Sequence, residues 1–187
     1  MTTQPIRIAA FSGSLRRESY TTKLAKAFIE LAPAGVQVDL IQGLGELPFF
    51  NEDMEANPPQ NVKDLIKKCA SADAFLFATP EYNRSYTAVL KNALDWPSRS
   101  DTLPFYKKPA AVVGITPYNL GAFGAVHHLR QVLTYLNTYT LQQPEFHINN
   151  AAEKFNDAGE LTDENTTRHI ENFWREYVVM IQKLREK

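Results

Sequence analysis

The chain has 187 residues, of which 44% are hydrophobic and 22% charged, and its formal net charge is −1. This length supports one substantial hydrophobic core, so we expect a single domain covering residues 1–187. The near-neutral charge balance, without a basic run, argues against nucleic acid or an anionic membrane as a partner. The chain has one cysteine, no signal-peptide pattern and no apolar run long enough to cross a bilayer, so we expect a cytoplasmic protein without an intrachain disulfide.

Residues 6–21 read as a buried strand, a hydroxyl-rich turn and the start of a helix. A helix that directly follows a strand has unpaired first N–H groups and the positive end of its dipole at the turn, which favours an anion there. The turn has neither the glycine pattern of a dinucleotide site nor that of a P-loop. Hydroxyls and arginine around one glycine suit the terminal phosphate of a mononucleotide such as FMN. The candidate residues are Ser12, Ser14, Arg16, Ser19, Tyr20 and Thr21.

Beyond this turn, apolar periodicity predicts a helix over 21–31, and alternation predicts a strand over 36–41, which completes a β-α-β unit. Residues 42–60 read as a long irregular connection, for which a pocket rim, a subunit contact and a simple surface loop all remain open. Asn61 is expected to cap a second helix. Cys69 lies on the apolar side of that helix, so we expect a buried, inert thiol.

Two further strands are predicted at 74–78 and 109–115, and each runs into an unusual loop. The continuously apolar sequence of 74–78 is typical of a strand covered on both faces of a parallel sheet. Its loop, 79–86, is polar and aromatic, whereas the loop 116–124 contains two glycines. Both loops are therefore better suited to holding a ligand than to filling a core.

The rest of the chain continues the alternation of helices and strands. A helix is expected to stop at Pro97, and another is predicted over 125–137. A fifth strand is expected within 139–143, and Asp163 is expected to open the final helix. These elements together predict an α/β protein with a flavodoxin-like, doubly wound, five-stranded parallel sheet in the order 2-1-3-4-5 and helices on both faces.

This topology predicts one composite site. Ligands of open α/β sheets bind beyond the carboxyl ends of the strands, where the strand order reverses between the first and third strands. That rule selects the loops 12–21, 79–86 and 116–124. They are also the three most unusual loops by composition, which supports the same location.

Two motifs at this spacing resemble the NADPH-dependent FMN reductase family, whose members include bacterial quinone, chromate and azo-dye reductases. The similarity covers roughly residues 6–135. The motifs are Gly13-Ser14-Leu15-Arg16 followed by Ser19, and Pro80-Glu81-Tyr82-Asn83 followed by Ser85, Leu90-Lys91-Asn92 and Asp95-Trp96.

The resemblance implies noncovalent FMN in a homodimer or homotetramer. It implies that Ser14, Arg16, Ser19 and Thr21 hold the phosphate. Thr21 stands where many members have asparagine, and Thr87-Ala88 stands where they commonly have Pro-Gly. The residues expected along the flavin rings and the ribityl chain are Pro80, Glu81, Tyr82, Asn83, Ser85, Thr116, Pro117 and Tyr118.

The implied reaction is hydride transfer from NADPH or NADH to N5 of FMN, followed by reduction of a quinone, chromate or an azo compound at the same face. In this ping-pong scheme no side chain is a nucleophile, and backbone placement by Glu81 is favoured over acid or base catalysis. A non-enzymatic electron carrier or redox sensor is the alternative. A carrier would be expected to be strongly acidic for docking with basic partners, and the net charge of −1 does not fit this. A phosphate-ester hydrolase with a similar sheet, such as a low-molecular-weight tyrosine phosphatase, would need a cysteine nucleophile in the first turn, and this turn has no cysteine. The four histidines lack a ligand spacing with cysteine or carboxylate, so we expect no metal.

Overall fold

Helices and strands alternate along the chain, as the apolar pattern predicts. The protein is described by a computed structural model, which covers residues 4–186. The elements are β1 Ile6–Ser12, α1 Tyr20–Glu30, β2 Val36–Leu40, α2 Gln60–Ser71, β3 Ala74–Thr79, α3 Ala88–Ser98, β4 Pro109–Ile115, α4 Phe123–Tyr135, β5 Tyr139–Thr140, β6 His147–Ile148 and α5 Glu164–Arg185.

The strands form one parallel sheet in the order β2-β1-β3-β4-β5, which confirms the predicted flavodoxin-like topology. Successive residues of β1 enter two different cores: Ala10 packs with α1 and α5 on one face, and Phe11 packs with α2, α3 and α4 on the other. Helices therefore cover both faces. The register pairs Ser12 with Ala78 and Thr79 with Gly114, so the three predicted loops leave the sheet at one edge.

The fifth strand lies within 139–143, as predicted, but the sequence did not predict β6. The edge strand consists of two short pieces, β5 and β6, which both pair with β4. Gly114 lies four positions after Ala110 on β4, whereas its partner His147 lies seven positions after Thr140, the partner of Ala110. The extra residues include Pro144, which has no N–H to donate to a ladder, so the chain leaves the sheet there.

Three helix ends test the predicted boundaries. Asp163 caps α5 as expected, since its Oδ2 accepts a hydrogen bond of 2.7 Å from the Thr166 N–H. Asn61 does not cap α2, because the helix begins at Gln60, with Pro59 at the cap position. The Asn61 side-chain amide donates to the Glu46 carbonyl, and its Oδ1 accepts a hydrogen bond of 3.0 Å from the Val62 N–H. α3 ends one residue beyond Pro97.

Cys69 is fully buried on the inner face of α2, which confirms the prediction from periodicity. Burial raises the pKa of its thiol to about 12, so the thiol stays protonated and unreactive near neutral pH. No helix within residues 4–186 is both long enough and apolar enough to cross a membrane.

Candidate functional site

The turn after β1 is shaped by hydroxyl groups. Ser19 caps α1: its Oγ accepts a hydrogen bond from the Thr22 N–H at 3.2 Å, and its carbonyl accepts from Lys23. The Thr22 hydroxyl also shares a 2.8 Å hydrogen bond with the hydroxyl of Ser12 at the end of β1. Helix geometry leaves the N–H groups of Tyr20 and Thr21 without intrahelical acceptors. Two donors and the positive end of α1 are therefore available to an anion at this turn.

Gly13 is required by close packing between this turn and the second loop. Its N–H donates to the Ala78 carbonyl at 2.8 Å. A Cβ atom at Gly13 would lie 2.8 Å from Leu90 Cδ1 and 3.1 Å from Pro80 Cδ, closer than side chains pack. The glycine thus allows the turn after β1 to contact the start of loop 79–86. The sequence motif around Gly13 does not reveal this role.

Arg16 is held over the turn by local contacts. Its guanidinium lies 5.3 Å from the centroid of the Tyr20 ring and donates to the Glu18 carbonyl. Its backbone N–H donates to the Ser14 hydroxyl at 3.3 Å. The side chain is exposed, so its charge is available to a ligand placed at the helix end.

Loop 79–86 contains a tight turn that exposes its tip. Tyr82 and Ser85 exchange backbone hydrogen bonds of 2.9 and 3.0 Å, and the residues between them, Asn83 and Arg84, have φ of 50° and 65°. Two consecutive residues with left-handed φ match a type I′ turn, which asparagine tolerates well. The Tyr82 N–H is used within the turn, whereas the N–H groups of Glu81 and Asn83 have no hydrogen-bond acceptor in the part of the chain described. These two groups are among the available backbone donors of this loop.

The carboxylate of Glu81 joins the second and third loops. Its Oε2 accepts a hydrogen bond of 3.2 Å from the Ala125 N–H in the first turn of α4, and its Oε1 lies 3.3 Å from Arg84 Nη1. A negative charge at a helix N-terminus is favourable. Only 10% of the side chain is exposed and both oxygens are engaged, so the geometry gives Glu81 a positioning role.

Replacement of Glu81 separates this role from acid or base catalysis. We expect Glu81→Ala to lower the free energy of unfolding by about 1–2 kcal/mol, since it removes the acceptor for α4, while Glu81→Gln loses less because its amide oxygen can still accept. Turnover per bound flavin in Glu81→Gln should stay within about twofold of the wild type. A fall of about 100-fold or more would instead indicate proton transfer by the carboxylate.

Ser85 points toward α4 in this structure. Its hydroxyl lies 2.9 Å from Nδ1 of His128, and the ring of Tyr86 packs against the same histidine with 5.1 Å between centroids. Burial raises the pKa of the Tyr86 hydroxyl. These contacts anchor the carboxyl end of the loop, so the exposed tip at 82–84 is the part that is free to meet a ligand.

The third loop completes an open cavity of about 530 Å³. Thr116 anchors this loop: its N–H donates to the Ile148 carbonyl at 2.9 Å, and its hydroxyl donates to the Tyr118 carbonyl at 3.0 Å. The exposed rings of Tyr82 and Tyr118 flank this region. The cavity lining joins the second and third loops and does not include the first turn, which meets the second loop through Gly13 instead. The lining residues are Glu81, Asn83, Arg84, Thr116, Pro117, Tyr118, Asn119, Leu120 and Ala122.

Comparison with known proteins gives consistent results. The model of the NADPH-dependent FMN reductase family matches residues 6–153. The chain is 43% identical over 162 residues to a quinone reductase of Pseudomonas putida, covering 86% of this chain and 87% of that protein. It is 35% identical to a 2-hydroxy-1,4-benzoquinone reductase of a Burkholderia species, covering 96% and 98%.

Among solved structures, the chain resembles FerB, a flavoenzyme NAD(P)H:(acceptor) oxidoreductase from Paracoccus denitrificans. The TM-score is 0.88 at 36% identity, and the alignment covers 95% of this chain and 98% of FerB. The match of family, length and fold extends over the strands and all three loops described above. The chain therefore belongs to the NADPH-dependent FMN reductase family.

Proposed function

We propose that this protein is an FMN-dependent oxidoreductase that passes electrons from NADPH or NADH to quinones or similar small acceptors, such as chromate and azo compounds. The observation that carries the proposal is the position of the Ser19-capped start of α1 beside two exposed loops at the same edge of the sheet. The quinone reductase names of the relatives support the choice of acceptor.

The first turn fits a phosphate monoester. The N–H groups of Tyr20 and Thr21, the hydroxyl of Ser14 and the guanidinium of Arg16 would together supply donors and a positive charge. The side chain of Thr21 is only 2% exposed, so we assign its contribution to the backbone N–H. Ser12 would act indirectly, since its hydroxyl fixes Thr22. The donor set thus recognises a terminal phosphate without the pyrophosphate pattern of a dinucleotide site.

The second and third loops fit a flat, polar-edged ring system. The unpaired N–H groups of Glu81 and Asn83 would donate to the polar edge of the flavin, and Thr116, Pro117 and Tyr118 would border the opposite side of the cavity. Bound FMN supplies the redox chemistry, while the chain binds and orients it. Exposed aromatic rings at the rim, from Tyr82 and Tyr118, would favour planar acceptors by stacking.

The absorption spectrum of the purified protein tests cofactor and donor together. We expect a yellow protein whose flavin bands bleach on anaerobic addition of NADPH or NADH and return when a benzoquinone is added. Continuous NAD(P)H oxidation with a quinone present separates an enzyme from an electron carrier. A protein that binds FMN but is not reduced by either nucleotide would favour the carrier, and a colourless protein that does not take up FMN would contradict the proposal.

We also propose that the chain assembles as a homodimer or homotetramer and works in the cytoplasm. Large apolar side chains are exposed in the connection 42–60 and on α4, among them Phe49 and Tyr135. Contact between copies would remove such surface from water. Light scattering after size-exclusion chromatography should give a mass of two or four chains, and a monomer would contradict this part of the proposal.

A further inference from the structure

Two histidines and one glutamate come together between the N-terminal half of α4 and the edge strand β6. His127 lies on α4, Glu145 lies just before β6, and His147 lies in β6. One potential ligand atom from each residue lies within 4.8 Å of those from the other two. His128, the next residue on the helix, points instead to Ser85, as expected for consecutive helical positions. Sequence spacing does not reveal this group, because its members come from a helix and a separate edge segment.

The distances within this group suit metal ligands better than hydrogen bonds. His127 Nε2 lies 3.5 Å from Glu145 Oε1, and His147 Nε2 lies 3.7 Å from Glu145 Oε2. N–H···O hydrogen bonds are usually about 2.7–3.2 Å long. Two ligand atoms on one tetrahedral Zn²⁺, each about 2.0–2.2 Å from the ion, are about 3.3–3.6 Å apart. The two imidazoles face different oxygens of Glu145, and all three ligand atoms lie within 4.8 Å of one another, so one ion would draw the three side chains closer together.

The ring nitrogens that face Glu145 have no hydrogen-bond partner among residues 4–186. Nε2 of His127 and Nε2 of His147 are both buried and unpaired in this sense. Burying a polar atom without a partner is unfavourable, and a coordinated ion would remove that cost.

Neighbouring residues hold the group in place. The Glu145 carbonyl accepts a 3.1 Å hydrogen bond from His169 Nε2, and the Glu145 N–H donates to Gln143 Oε1 at 3.3 Å. The Phe123 ring covers one side, 4.2 Å from the ring of His127 and 5.4 Å from that of His147, centroid to centroid. The ligand side chains stay partly open to solvent, at 39, 35 and 18% exposure for His127, Glu145 and His147. An ion could therefore enter without unfolding of the chain.

We propose that His127, Glu145 and His147 bind a divalent transition-metal ion, with Zn²⁺ as the best match and one coordination position open. Two imidazoles and a carboxylate are a ligand set that Zn²⁺ uses in proteins. The site is separate from the candidate flavin cavity, since none of the three residues lines it. The ion would link α4 to β6, the two elements between which the loop 116–124 is held.

One feature lowers the expected affinity. Nδ1 of His147 has no hydrogen-bond partner in the described chain, although a metal-bound histidine is usually oriented by one. The lack of such a partner typically costs about 10–100-fold in metal affinity.

Calorimetric titration of the chelator-treated, flavin-loaded protein with Zn²⁺ tests the proposal. We expect one ion per chain, with binding at least about tenfold weaker in His147→Gln and in Glu145→Gln, because each removes a ligand but keeps a similar shape. His128→Gln is the matched control, since it removes a histidine one residue away on the same helix and should bind Zn²⁺ as the wild type does. Circular dichroism and flavin absorbance show whether each variant is folded.

A second measurement keeps the test decisive if a variant fails to fold. Crystals of the wild-type protein soaked in Zn²⁺ should show an anomalous peak between the three side chains at the zinc absorption edge. Equal weakening by His128→Gln, no heat of binding up to about 100 μM Zn²⁺, or a peak only at other surface groups would overturn the proposal. Each of these results leaves the flavin assignment intact, because its own test is the flavin spectrum.

Discussion

Replacing Ser19 with aspartate is expected to weaken FMN binding by about 100-fold or more. Aspartate caps helices as well as serine does, and its charge favours a helix N-terminus, so α1 should stay intact. The new carboxylate would stand beside a phosphate that carries about −1.5 to −2 charges at pH 7. Two unit charges about 4 Å apart repel by about 4 kcal/mol at a protein surface, which exceeds the about 2.7 kcal/mol that a 100-fold loss requires.

Two comparisons show whether the effect acts on the phosphate. Ser19→Asn is a neutral cap of nearly the same shape as aspartate and should keep FMN affinity within about threefold of the wild type. Riboflavin, which lacks the phosphate, should bind Ser19→Asp and the wild type about equally. Affinities can be measured from the quenching of flavin fluorescence. If Ser19→Asp loses riboflavin as strongly as FMN, the phosphate lies elsewhere and the variant has disturbed the fold of the pocket.

Removal of the Trp96 side chain should cost about 3–5 kcal/mol of unfolding free energy. Trp96 is only 2% exposed, and its Nε1 donates a 2.8 Å hydrogen bond to the Pro48 carbonyl. Asn92 donates to the same carbonyl at 2.9 Å and accepts from the Phe50 N–H at 2.8 Å. Phe50 also packs edge-on against Trp96, with 5.1 Å between ring centroids. The alanine variant would therefore lose both a packed ring and one of the bonds that hold the connection 42–60.

Trp96→Phe separates these two contributions. It keeps most of the buried area but loses the N–H, so we expect a cost of about 1–2 kcal/mol. Urea unfolding of the wild type and both variants gives the comparison, and the slope with urea should stay nearly constant. If Trp96→Ala cost less than about 1 kcal/mol, the contact between α3 and the connection would not contribute to stability as the structure suggests.

This contact also shows how residues 42–60 are held. The sequence left a pocket rim, a subunit contact and a plain surface loop open for this connection. The structure ties their apolar segment to α3 through Asn92 and Trp96, while Gly45 packs against Leu15 of the first turn. The connection 42–60 is therefore fixed beside the turn after β1. Its composition could not show this, because the bonds join residues more than 40 positions apart.

The sequence by itself determined the topology and the sheet edge at which the three candidate loops lie. Continuous apolar runs predicted buried parallel strands, and the order of strands and helices left the three loops at one sheet edge, where the structure has them. Asp163 was identified as the residue that opens α5 because capping is a local interaction. Local periodicity and short motifs carry these features, so one sequence is sufficient to predict them.

Only the tertiary structure decided how the loops are held and which side chains remain free. The engagement of the Glu81 carboxylate with Ala125, the approach that requires Gly13, and the meeting of His127 with Glu145 and His147 all depend on contacts between distant elements. The same holds for the division of the edge strand around Pro144. Such features follow from the relative placement of whole helices and strands, which is set by packing of the entire core and leaves no local pattern in the chain.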